Sequence, residues 1–152
     1  MDEVRWLGVI ARDELPDFIC EIRPWCLILN TDSNDQPGIH WLALYAPLSN
    51  GIELFDLFGY FSSMYSLNFL DHLHSSYSIQ SPRTSVCGHY CIVYIYLCSH
   101  NDLLSDIVYL LTNILSRDLW VKQYIYNMQS RLCILNQCHQ TNQRGKLQCQ
   151  FC

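Results

Sequence analysis

Cys87-Gly88-His89-Tyr90-Cys91-Ile92-Val93-Tyr94-Ile95-Tyr96-Leu97-Cys98-Ser99-His100 decides the fold. Its run Ile92 to Tyr96 is β-branched and aromatic, which favours a strand. Against that, Cys87, Cys91, Tyr94 and Cys98 fall on one helical stripe, and the segment is long for a strand. The spacing predicts a buried helix. The chain then divides into a strand-rich first half and a helical second half.

Upstream, Trp25 to Asn30 is a short apolar run and predicts a buried strand. Thr31 to Gly38 has loop composition. Ile39 to Ala46 predicts a second strand, Ser49-Asn50-Gly51 a tight hairpin turn, and Ile52 to Leu57 a third strand. Together these make an antiparallel meander. Trp6 to Ile19 reads as an entry segment with a turn at Pro16. Ser62 to Ser76 places Met64, Leu67, Leu70 and Leu73 at intervals of three and predicts a helix. Tyr77 to Gln80 reads as a short extended piece. Asp102 to Leu115 and Asp118 to Leu132 predict two more helices, with Asp118 as a cap. From Cys133 the sequence turns polar and Gln-rich. The expected organisation is a domain over 1–132 and a tail over 133–152.

Composition narrows the function. Half of the 152 residues are hydrophobic and 15% are charged, which suits one folded domain with a real core. The net charge of -5 comes from scattered carboxylates and argues against a large nucleic-acid footprint. Met1-Asp2-Glu3 is acidic where a secretory leader would be basic, and the apolar run Tyr90 to Cys98 is too short to span a bilayer. The expectation is a soluble, intracellular protein. Nine cysteines, an odd number, then read as reduced thiols.

The chemistry sought is that of a thiol nucleophile. It needs a stabilised thiolate, a His to take the proton, a group to orient that His, and donors for the oxyanion. Cys87 stands at the start of the predicted helix, where the partial positive charge lowers a thiol's pKa. Gly88 beside it lets a substrate backbone come close. A lone Cys is more often a small buried apolar residue. His40 sits early in the second strand, where it is either a base or a ring packed beside Trp41. Asp56 ends the third strand. A hairpin centred on Leu48 sets residues 40 and 56 opposite each other, and one centred on Asn50 leaves them offset along the ladder. Gln80 precedes Cys87 in a loop stiffened by Pro82, as an oxyanion donor or a polar loop residue.

Taken in order, these segments resemble a known family. Gly38-Ile39-His40-Trp41-Leu42-Ala43-Leu44 resembles the His motif of the adenovirus-type cysteine protease (adenain) family. Glu53 to Tyr60 is similar to its acidic motif, and Gln80 to Cys91 to its Gln-to-Cys motif. Leu7 to Pro16 and Leu27 to Thr31 resemble flanking pieces, so the likeness covers roughly residues 7–98. It implies an α+β fold, with a small, mostly antiparallel sheet packed against a buried nucleophile helix and flanking helices. It implies His40 as base, Asp56 as orienter, and Gln80 with the Cys87 amide as oxyanion donors. It implies an endopeptidase that matures viral or virus-like structural precursors, with small residues, especially Gly, near the cut. The expected setting is the host nucleus and the virion, with the protein a monomer. Proteases for ubiquitin-like modifiers share the same His–Asp–Gln–Cys order.

Some positions depart from the family pattern. Leu57 stands where the acidic motif has Pro, and Ser81 where the Gln motif has Gly. The family is activated by a short viral peptide bonded through a disulfide, and by DNA. This chain has no cysteine between Cys26 and Cys87, and its pI is near 5.5. The expectation is therefore no cofactor and no metal in the site. The tail carries Cys133, Cys138, His139, Cys149 and Cys152, whose spacing suggests either zinc or reduced thiols. Three other functions stand beside the endopeptidase: an isopeptidase for ubiquitin-like modifiers, a catalytically silent capsid-associated binding protein, and a zinc-dependent nucleic-acid module.

Overall fold

A computed structural model describes residues 4–15, 23–49, 51–60, 62–65, 67, 72–74, 78–79 and 85–143. Five strands form one sheet in the order β1-β2-β3-β4-β5: Arg5–Ala11, Trp25–Asn30, Trp41–Ala46, Ile52–Phe55 and His72–His74. Three helices follow: α1 (Cys87–Ser99), α2 (Leu104–Asn113) and α3 (Arg117–Gln143). The class is α+β, as expected.

The central strands are apolar on both faces because both faces are covered. Trp25, Leu27 and Leu29 of β2 point one way with Leu42, Leu44 and Leu54. Leu7, Ile10, Leu15 and Tyr65 pack over them. Ile28, Ala43 and Phe55 point the other way, against α1. On that helix Tyr90, Cys91, Val93 and Tyr94 are buried, and Phe55 stacks flat on Tyr94 at 4.4 Å. The stripe of Cys87, Cys91, Tyr94 and Cys98 is therefore core, as the helical reading required.

Several elements differ from expectation. The sheet is mixed, since β2-β3 and β3-β4 are antiparallel while β1-β2 and β4-β5 are parallel. The entry segment is the edge strand β1, followed by a 3-10 turn over Arg12–Glu14; Pro16 lies outside the described residues. Among the described residues of 62–76 there is no α-helix. Ser62–Tyr65 is a 3-10 turn and His72–His74 is β5, aligned with Ile52 to Leu54. The last helix does not end at Leu132 but continues to Gln143. Asp118 lies within its first turn and accepts a hydrogen bond from the Tyr90 hydroxyl at 2.7 Å, tying α3 to α1. Among the described residues no helix is long and apolar enough to cross a membrane.

Candidate active site

The site gathers where β3, β4 and α1 all begin or end. His40 stands one residue before β3, and Asp56 one residue after β4. The loop delivering His40 is fixed at two points. The His40 carbonyl accepts from the Thr31 backbone N–H at 3.0 Å and from its hydroxyl at 3.2 Å. Gly38 has φ +81, and a Cβ there would meet Asn30 Nδ2 at 2.7 Å. Only glycine suits both that backbone and that gap.

His40 Nε2 lies 2.7 Å from Asp56 Oδ1, with both side chains buried. Asp56 is fully buried and its carboxylate is held from several directions. Oδ1 also accepts from the Phe58 N–H at 3.1 Å, while Oδ2 accepts from the Tyr60 N–H at 2.9 Å and the Tyr65 hydroxyl at 2.8 Å. Burial pushes the carboxyl's pKa up, but these donors and His40 outweigh it and hold the pKa below its usual value. Phe58 stacks on the His40 ring at 4.4 Å between centroids.

Cys87 is the first residue of α1. Its N-cap is Val86, which makes no side-chain capping bond, and the His89 and Tyr90 N–H groups donate to the Val86 carbonyl. Burial raises the thiol's pKa. The hydrogen bond with His40, the backbone N–H groups of Trp41 and Gly88, and the imidazolium charge together bring it below its usual value. Burial lowers the His40 pKa, and the bonds to Asp56 and Cys87 raise it to about 9. With Nε2 facing Asp56, Nδ1 is the nitrogen left for the thiol. Each shift favours the charged form, so thiolate and imidazolium stabilise each other.

The other three cysteines with described side chains, Cys26, Cys91 and Cys98, are chemically different. Cys91 is fully buried, with its sulfur 3.4 Å from the Trp41 carbonyl, and burial pushes its pKa well up. Burial lifts Cys26 to about 11 and Cys98 to about 12. A Cβ added at Gly88, the residue after Cys87, would meet nothing within 4 Å among the described residues.

His40, Asp56 and Cys87 thus come together. Gln80 lies outside the described residues, as do Cys149 and Cys152 of the tail. Among the described residues no three His, Cys, Asp or Glu groups gather as a metal site. The sequence reading missed Phe58 and Tyr65. Phe58 lies inside the acidic motif, two residues after Asp56, where its ring was in view. Tyr65 carries no local signal, because its partner is nine residues away in sequence.

Comparison with known proteins points to one family. The family model described as adenovirus endoprotease matches residues 6–71, a stretch that holds His40 and Asp56. A protease of bovine adenovirus B serotype 3 is 28% identical, covering 60% of this chain and 54% of its own. Proteases of porcine adenovirus A serotype 3 and human adenovirus A serotype 12 are 27% and 26% identical, covering 60% and 62% of this chain and 54% and 56% of their own. The chain spans about half the length of the curated relatives it matches.

Proposed function

The chain resembles the adenovirus endoprotease family, and on that premise we propose that it is a cysteine endopeptidase with Cys87 as nucleophile, His40 as base and Asp56 as orienter. One observation carries the reading: His40 bonds at once to a buried carboxylate and to a thiol whose pKa is lowered. A structural histidine has no need of both partners.

The reaction is acyl transfer through a thioester. The Cys87 thiolate attacks the scissile carbonyl. The oxyanion is held by the Cys87 amide and by Gln80, the latter by its resemblance to the family's Gln motif. The C–N bond breaks as His40 protonates the leaving amine. Water then attacks the thioester, giving one proton to His40, and the C–S bond breaks to release the acid and restore the Cys87 thiolate beside the imidazolium. The substrates are proteins, namely capsid or core precursors of a virus or virus-like element. The enzyme works as a monomer in the host nucleus and the virion.

The test needs no known substrate. Thiol alkylation by iodoacetamide is mapped by mass spectrometry at mildly acidic pH on wild type and His40→Ala. Cys87 should react well before the other cysteines and lose that lead in His40→Ala. A Cys87 no faster than Cys26 or Cys98 would overturn the reading.

A further inference from the structure

Asp56 orients His40 only if the carboxylate itself is fixed. Of the donors named above, the Phe58 and Tyr60 N–H groups belong to its own turn. Tyr65 reaches it from the separate 3-10 turn Ser62–Tyr65. Its hydroxyl takes Oδ2, on the far side of the carboxylate from the His40 contact at Oδ1. The ring is packed against the core under the sheet, with its centroid 6.0 Å from that of His40.

Building on the proposed catalytic role of Cys87, His40 and Asp56, we propose that Tyr65 is a positioning residue, whose hydroxyl sets the plane and charge of Asp56 so that Oδ1 faces His40. Two consequences follow. Without the hydroxyl, Asp56 takes a proton more readily and turns more freely. The imidazolium is then held less firmly, and the thiolate forms only at higher pH.

The experiment follows the pH profile of Cys87 alkylation in four full-length proteins: wild type, Tyr65→Phe, Asp56→Ala and the double variant. Tyr65→Phe should slow Cys87 at mildly acidic pH by roughly 3- to 30-fold, a shift of about half to one and a half units in the acid limb. Added to Asp56→Ala, it should change nothing further, because the side chain it acts on is gone. A second readout is the far-downfield proton signal of the His40–Asp56 bond, which Tyr65→Phe should weaken. If Tyr65→Phe fails to fold, Tyr65→His returns an N–H donor in its place. A folded Tyr65→His with no such signal would count against the idea. A profile that overlays wild type, or the same slowing in both backgrounds, would overturn it. These results differ from failure of the protease reading itself, in which wild-type Cys87 has no lead to lose.

Discussion

His40 and Asp56 meet on a diagonal of the hairpin, not straight across it. The ladder pairs Ala43 with Phe55, Leu44 with Leu54 and Tyr45 with Glu53. Carried one step further, that register sets Asp56 against Leu42, two residues from His40. The 2.7 Å contact is possible because both residues lie just past the paired stretch of β3 and β4, while Thr31 still holds the His40 carbonyl from the β2 side. The same position lets the ring bond to Cys87 at the start of α1.

The diagonal predicts a graded loss. Cys87→Ala should abolish turnover, because it removes the attacking atom. His40→Ala should lower kcat by about 10²- to 10⁴-fold, the usual contribution of a general base. Asp56→Ala should cost less, since Phe58 still stacks on the ring and the loop still pins its backbone. Peptide hydrolysis, once a substrate is found, ranks the three; an Asp56→Ala deficit larger than that of His40→Ala would contradict this order.

The pKa shifts set a pH window for reaction. Cys87 titrates below its usual 9.0 and His40 at about 9. Turnover should rise as the thiol ionises on the acid side. It should fall as pH passes about 9, where His40 loses the proton the leaving amine needs. Stability follows a different course. The Asp56 contribution is present above 3.8 and is lost as pH falls through its lowered pKa. The His40 contribution is complete below 6.5 and is lost as pH rises to about 9. The Cys87 contribution grows from its lowered pKa up to 9.0, opposing that loss. Together Asp56 and His40 stabilise the fold most between 3.8 and 6.5. Urea unfolding against pH should show an acid-side drop that Asp56→Asn flattens.

How much of this was legible in the sequence depends on where the partner of each residue lies. β2 could be read because Trp25 to Asn30 is apolar on both faces. α1 could be read from its stripe of cysteines and Tyr94. β1 was hidden. It is a half-exposed edge strand, broken by an irregularity at Gly8, and its parallel partner β2 gives no local sign. The false helix over 62–76 arose because a spacing of three satisfies two unrelated demands. Leu67 is buried in the core under the sheet, while Leu73 sits in a strand beside Glu53. Polarity after Cys133 concealed the continuation of α3, although Gln and Leu favour helix well. In the site, the order of the motifs singled out His40, Asp56 and Cys87, which lie together in the fold, but the offset of the hairpin needed its true register.

A second polar pair lies between the sheet and α1. The Tyr94 hydroxyl donates to Glu53 Oε2 at 2.8 Å, and burial raises the Glu53 pKa despite that bond. Tyr94→Phe keeps the stack on Phe55 but removes the donor. It should destabilise the fold by about 1.5–3 kcal/mol at pH 7, where the carboxylate is charged. Without the bond the Glu53 pKa rises further. A raised pKa gives stability that is complete below 4.5 and lost as pH rises. The penalty should therefore shrink in acid. Denaturation at neutral pH and near pH 4 compares the two, and an equal penalty at both would rule out Glu53 as the cause.

Gly88 separates the needs of folding from those of chemistry. It lies in the first turn of α1, where no described atom would meet an added Cβ within 4 Å. Alanine there should fit the helix and stabilise it by up to about 1 kcal/mol, because glycine is the weaker helix former. The same methyl group would stand in the open space at Gly88, next in the chain to Cys87, which is the approach that glycine leaves to a substrate backbone. Gly88→Ala should therefore raise the melting temperature while lowering kcat/KM, chiefly through KM. Its Cys87 should still react with iodoacetamide, a reagent small enough to pass the methyl group. A variant that keeps wild-type kcat/KM would show that substrate reaches Cys87 from another side.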